Sequence, residues 1–295
     1  ALAPADIPLR GDGMSAIEMK DPRRRRTILG NLGLNLLTYA VAFLVFFPIL
    51  WTLLTAFKTE ANAAAIPPVI WFHATLDQFR AVLASNYLSY FENSAIIAGG
   101  STLLALVLGL PAAYSLAFNP TKYTPRVLSW VLSTKMLPAV GALIPLIVIY
   151  KRVGLFDSRL GMILLYAAFN LPLVIWMMRS FFADLPLEIL EAATVDGAGF
   201  FRIIGLIVIP LTLPGLAATV LLSTIFSWNE FLLAVNLTGA NSGTLPVFIS
   251  GFMTSEGLFW AKMSAASTMA VAPVILAGWL AQRSLVRGLT FGAVK

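Results

Sequence analysis

The sequence contains no cysteine and a single histidine, His73, among its 295 residues. The first absence excludes disulfide frameworks, thiolate catalysis and cysteine-based metal sites, and the second leaves no histidine cluster to hold a metal. His73 reads as a polar residue of an extramembrane loop. Charge is scarce too: 12% of the residues are charged against 59% apolar, with a mean hydropathy of +0.85. A water-soluble fold of this size has too little polar surface to cover that much apolar side chain. The chain contains no Gly-x-x-x-x-Gly-Lys-Ser/Thr phosphate loop, so it is not itself an ATPase of that class. Acidic residues are too few in the apolar runs to build an acid/base or metal constellation, so no catalytic residue, no metal ligand and no bound cofactor is expected.

What the sequence has in abundance is long apolar runs. A bilayer core of about 30 Å needs roughly 20 helical residues, and six runs of that order are separated by charged or turn-rich stretches. They lie at Leu34 to Phe57, Ser94 to Phe118, Leu128 to Tyr150, Gly161 to Phe182, a run beginning within Ile203 to Thr212 and ending near Phe231, and Met263 to Leu280. The expected fold is therefore an all-α membrane protein of six transmembrane helices. The first run follows Arg23 to Arg26 and is too long for a signal-peptide core.

The net charge of +6 marks membrane sidedness rather than nucleic-acid binding. With the N-terminus inside, thirteen Lys and Arg fall in the tails and inner loops: Arg10, Lys20, Arg23 to Arg26, Lys122, Arg126, Arg179, Arg202, Arg283, Arg287 and Lys295. Six fall opposite, at Lys58, Arg80, Lys151, Arg152, Arg159 and Lys262. That bias puts both termini in the cytoplasm, although the loop with Lys151, Arg152 and Arg159 runs against it. Residues 1–32 read as a disordered cytoplasmic tail, 33–283 as the transmembrane domain and 284–295 as a cytoplasmic tail. Every run carries proline, from Pro48 to Pro273, which suits kinked helices around a cavity and is also common in membrane helices generally.

Between the fourth and fifth runs lies the polar segment 184–202. Asp184 is placed to cap a helix, Pro186 suits its first turn, and Glu188 and Glu191 lie toward the positive end of its dipole. Ala192, Ala193 and Gly197 give one end a small-residue surface, and Leu187, Ile189 and Leu190 give apolar knobs that suit a partner's groove. Taken alone, the segment also reads as an ordinary surface helix between two spans. Glu191-Ala192-Ala193, then Gly197 after three residues, then Ile207 and Ile209-Pro210 resemble the signature loop of the permease subunits of binding-protein-dependent ABC importers, with Ile209 where leucine is usual. Trp228-Asn229-Glu230-Phe231 and the ending Gly288 to Lys295 resemble the maltose-type second permease of the carbohydrate branch, and Leu285 to Gly292 is similar to polyol (mannitol or sorbitol) permeases.

The resemblance implies a type I ABC importer transmembrane domain in a bacterial inner membrane. It implies that Glu191, Ala192, Ala193, Asp196, Gly197, Ile207 and Pro210 couple the chain to a separate ATPase present in two copies, which uses ATP and Mg. It also implies a heterodimer with a second permease subunit, a periplasmic solute-binding protein, and a C-terminal tail from about Gly288 that reaches into the ATPase dimer.

A sugar or polyol needs hydrogen-bonding groups and stacking faces within the bilayer. Lys135, Asn170, Trp228, Asn229 and Glu230 are the candidates for such a pathway, since buried polar groups face a cavity or a partner. Each also has a plainer role, as an interfacial residue or as a bond between helices. An amino-acid or peptide importer is the alternative within this class. A lone secondary transporter would need an inverted repeat or intramembrane carboxylates, and only Glu230 is available.

Overall fold

The computed structural model describes residues 22–136, 138–254 and 257–291, with side chains described over 34–136, 138–254 and 257–282. Contacts divide the chain into two units, residues 1–51 and 52–295. The first contains the helix α1 (Pro22–Ala56) as far as Trp51. Phe43, Phe47 and Trp51 recur at four-residue intervals on this helix, so successive rings meet at 6.0 Å between centroids. The tail expected over 1–32 thus overlaps α1 from Pro22 onward, and residues 1–21 lie outside the described residues.

The second unit begins with two short helices, α2 (Glu60–Ala63) and α3 (Asp77–Leu83), before the long α4 (Tyr87–Phe118). Next come α5 (Thr124–Thr134), α6 (Ala139–Arg152) and α7 (Arg159–Ala183). The segment α8 (Leu187–Val195) and α9 (Phe200–Ile203) leads through a π-helical turn (Ile204–Val208) into α10 (Ile209–Leu211) and α11 (Leu213–Trp228). After α12 (Leu232–Leu237) and α13 (Leu245–Ser250), strands β1 (Met253–Thr254) and β2 (Gly257–Leu258) pair antiparallel, Met253 opposite Leu258. This two-residue hairpin is a small departure from an all-α chain. The last helix is α14 (Trp260–Phe291). It carries residues 284–291, expected in a tail, as helix, and 292–295 lie outside the described residues.

Four helices among the described residues are long and apolar enough to cross a membrane: Leu34–Ala56, Tyr87–Phe118, Arg159–Ala183 and Trp260–Gln282. The third and fifth expected spans are each broken instead, by 83° between α5 and α6 and by 87° between Phe200–Leu211 and α11. The second break has a local cause. Pro210 and Pro214 have no N–H to donate into the helix ladder, and the N–H of Ile209 reaches back five residues to the Ile204 carbonyl, the signature of a π-bulge. Thr212 closes the turn by donating both its N–H (3.0 Å) and its hydroxyl (2.7 Å) to the Val208 carbonyl.

Small residues bring α4, α7 and α11 together, as expected where lipid supplies no hydrophobic drive for helix association. A β-carbon on Gly109 would come within 2.6 Å of Val174 Cγ1, and one on Gly215 would enter the Phe181 ring. A polar seam fastens the same three helices. Asn170 donates to Ser227 Oγ at 2.8 Å and to the Ser223 carbonyl at 3.3 Å, and Ser101 and Ser227 share a hydroxyl bond of 2.9 Å. Gly215→Leu is expected to destabilise the domain by roughly 1–3 kcal/mol through overpacking, measured as a lower unfolding temperature in detergent, whereas Gly205→Leu, with open space around it, is expected to leave it unchanged.

The end of α7 remote from α8 is held by charge-assisted bonds between loops. Glu60 accepts the N–H groups of Ala261 and Lys262 at 3.0 and 2.9 Å, satisfying two otherwise orphan donors of the first turn of α14. Arg159 pairs with Glu92 at 3.0 Å and donates to Asn93, which in turn donates to the carbonyls of Asn241 and Gly243. Asp157 joins this network at Asn241, accepting both its N–H and its side-chain amide.

Candidate functional site

Two regions hold the residues singled out by the sequence. The first is the loop between α7 and α11. Asp184 does not cap α8: it terminates α7, its N–H bonding the Phe182 carbonyl, and Pro186 takes the N-cap position of α8. The reason is spacing, since the turn at 184–186 is consumed in ending α7, where Leu185 also donates to Phe182. The helix ends as the glycines demand. Gly197 adopts φ +79°, its N–H bonds the Thr194 carbonyl at 3.0 Å, and the Ala198 N–H bonds the Ala193 carbonyl at 3.0 Å, a Schellman closure with glycine in the left-handed position.

This closure fixes which face of α8 is used at home. Leu190 and Ala193 are buried in a cluster with Tyr114, Phe182, Ile203 and Val208, so Ala193 belongs to the chain's own core rather than to an outward small-residue surface. Glu191, Ala192, Asp196 and Gly197 are exposed. Exposed with them are Leu187, Val195 (88%) and Phe201 (85%), large apolar groups on a segment otherwise rich in acid. Ile207 and Pro210 sit apart from this surface, Ile207 within the π-helical turn and Pro210 at the start of α10. Their spacing from Gly197 reports the bent entry into α11.

The second region is a cleft of about 200 Å³ between α5, α6, α7 and α11, lined by Lys135, Tyr166, Asn170, Ser227 and Glu230 among others. Three of the five pathway candidates therefore meet. Lys135 is not inside a continuous span: it caps the C-terminus of α5 at the break, its N–H bonding Leu132 and Ser133 carbonyls, and its ammonium lies 5.8 Å from the Phe226 ring centre. Asn170 is buried in the polar seam, so its bonding role between helices is realised. Glu230 accepts the Tyr166 hydroxyl at 2.7 Å and the N–H groups of Leu233 and Ala234 at 2.9 and 3.1 Å, which places its carboxylate at the start of α12.

Trp228 and Asn229 do not join them. They border a separate cavity of about 690 Å³ with α13 and α14. Trp228 is a core residue there, its indole donating to the Ala270 carbonyl at 3.1 Å and its ring meeting Phe91 edge-on at 5.7 Å. The Asn229 amide turns back onto the Ile225 carbonyl. Consecutive residues at the end of α11 point to different sides, which a four-residue motif conceals. Tyr166 and Ser227 were missed, and neither carries a local sequence signal, since tyrosine and serine are common in membrane helices. Removing the Tyr166 hydroxyl (Tyr166→Phe) is expected to cost about 1–3 kcal/mol by withdrawing a donor from a carboxylate, read in the same unfolding assay.

Broken membrane helices around a polar cleft, with an exposed helix in the loop between α7 and α11, are the build of a membrane transport subunit. The chain belongs to the family of binding-protein-dependent transport system inner membrane components, whose model matches residues 105–290. It is 34% identical to the sulfoquinovosyl glycerol transport system permease protein SmoH of Agrobacterium fabrum, over 84% of this chain and 88% of that one. It is 33% identical to the trehalose transport system permease protein SugB of Mycobacterium tuberculosis, over 84% and 92%. In fold it is similar to a chain of a bacterial ABC transporter involved in the import of the acidic polysaccharide alginate, with a TM-score of 0.73 and 23% identity over 89% of this chain and 98% of that chain.

Proposed function

We propose that this chain forms half of the translocation pathway of an ATP-driven importer of a saccharide or polyol. Each bent helix pair counts as one span, which makes six, with both termini and the 184–202 loop in the cytoplasm. The chain pairs with a second, non-identical permease subunit. Two copies of an ATPase bind ATP and Mg and close against α8 and its partner counterpart, and a periplasmic solute-binding protein delivers the solute to the outward-facing pair. The chain itself is non-catalytic and needs no cofactor of its own.

The observation that carries the reading is the exposed surface at the end of α8. Leu187 and Val195 on α8 and Phe201 on α9 are exposed, as are Glu188, Glu191 and Asp196, and the opposite face of α8 is fastened to the ends of α4 and α7 through Leu190 and Ala193. A helix rooted in the membrane core and offering apolar knobs with acidic neighbours suits a groove in a soluble partner, and a soluble ATPase works in the cytosol. That placement agrees with the excess of Lys and Arg on the same side. The membership of sugar permeases among the relatives supports a saccharide as cargo.

The test reconstitutes the chain with its partner permease and ATPase subunits in lipid and measures ATP hydrolysis with and without the binding protein. Stimulation by solute-loaded binding protein is expected. Assembly without any such stimulation overturns the importer reading. A thermal-shift screen of the binding protein against sugars, polyols and amino acids identifies the cargo class, and a shift with amino acids alone overturns the saccharide assignment.

A further inference from the structure

We propose that the cleft at the α5–α6 break takes an acidic group, so that the solute is a saccharide bearing a carboxylate or sulfonate. This deepens the reading of the cleft as part of the pathway and rests on it. The argument is an inventory of hydrogen-bonding capacity. Glu230 is already occupied by three donors, the Tyr166 hydroxyl and the N–H groups of Leu233 and Ala234. Both hydrogens of the Asn170 amide are directed at Ser227 and Ser223. Lys135 is different. Its ammonium has three hydrogens and, among the described residues, only the Phe226 ring beside it.

Lys135 and Glu230 line one cleft, yet they form no ion pair within 4.0 Å, the described pairs being Arg80 with Asp77 and Arg159 with Glu92. The carboxylate has its donors at home, and the ammonium has no acceptor among the described residues. An ammonium at the bend of a membrane span with no counter-charge in contact is costly, and a transient anion in the cleft removes that cost. Space for the rest of a sugar adjoins it. Lys135 and Phe226 also border a groove of about 600 Å³ with Trp176, Ser180 and apolar neighbours. The Trp176 indole donates to the Leu128 carbonyl at 3.4 Å, which holds the ring in place as a flat apolar face beside the charge.

The absence of cysteine makes the test direct, because a single introduced thiol is the chain's only one. In the reconstituted transporter, Ala139→Cys, on the cleft wall, is treated with sulfonatoethyl or trimethylammonioethyl methanethiosulfonate, and the mass gain of this chain gives the two rates. The anionic reagent is expected to react at least tenfold faster than its cationic counterpart, the preference to vanish with Lys135→Gln and to persist with Lys135→Arg. A thiol that reacts with neither reagent, in a complex that hydrolyses ATP, overturns the pathway reading itself. A thiol that reacts equally with both overturns the acidic-cargo proposal and leaves the pathway reading standing. So does a binding protein whose thermal stability shifts with glucose but not with glucuronate. Failure of both Lys135→Gln and Lys135→Arg to assemble assigns the lysine a fixed charge partner in the complex and likewise overturns the proposal.

Discussion

Gly197→Val is expected to reduce binding-protein-stimulated ATP hydrolysis of the assembled importer at least tenfold. The cause is conformational. Gly197 stands at φ +79°, where a β-carbon costs about 1–2 kcal/mol and a β-branched side chain fits worst. No atom lies within 4 Å of the position a β-carbon would take, so crowding inside the chain does not explain the loss. What the valine removes is the Schellman closure that ends α8 and turns the chain toward Phe200 and Phe201. The exposed Val195 and Phe201, on either side of that turn, are then re-aimed relative to each other. Gly197→Asn separates this cause from a docking clash, because asparagine tolerates the left-handed region. Retained hydrolysis with asparagine and lost hydrolysis with valine is the expected pair of results. Full activity of the valine variant removes α8 as the coupling element.

How far the sequence alone reaches differs between these features. Apolar runs located the four unbroken spans among the described residues, although the second begins at Tyr87 rather than Ser94, because lipid demands about 20 apolar residues whatever the fold. They did not reveal the breaks at Lys135 and Thr212, since composition averages over a bend and the Thr212 turn is apolar on both sides. Proline was a weak guide: Pro111 and Pro172 sit inside unbroken α4 and α7, while Pro210 and Pro214 flank a bend of 87°. The helix in the 184–202 loop was legible because its determinants are local, a glycine at the helix end and a helix of nine residues before it. The cleft was legible in part. Charged and amide groups in an apolar run stand out, so Lys135, Asn170 and Glu230 were found, but Tyr166 reaches Glu230 from 64 residues away. Trp228 was included as a stacking face and Asn229 as an amide within an apolar run, and the end of α11 sends them elsewhere.

The contact least visible in the sequence predicts the largest loss of stability. Asp157 adopts φ +51° between α6 and α7. Its carboxylate accepts the N–H groups of Gly239 (2.7 Å), Ser242 (3.0 Å) and Asn241 (3.2 Å), the Ser242 hydroxyl (2.8 Å) and the Asn241 amide (3.0 Å). Its own N–H donates to the Leu237 carbonyl. One aspartate thereby organises the turn between α12 and α13, more than 80 residues downstream. Burial alone would raise the pKa of this carboxyl, but the donors from Gly239, Ser242 and Asn241 outweigh it and hold the group below its ordinary value of 3.8. A carboxyl depressed in the folded state stabilises fully above the unfolded value. That contribution declines as pH falls below 3.8 and is gone once the folded value is passed. Asp157→Ala is expected to cost on the order of 3 kcal/mol, since hydrogen bonds to a charged acceptor are worth about 1.5–3 kcal/mol each and their losses do not add in full. Measured by thermal unfolding in detergent, the variant is also expected to lose less stability than the parent between pH 5 and pH 3. Should both proteins lose the same amount on acidification, the Asp157 carboxylate is not what acid titrates at this turn.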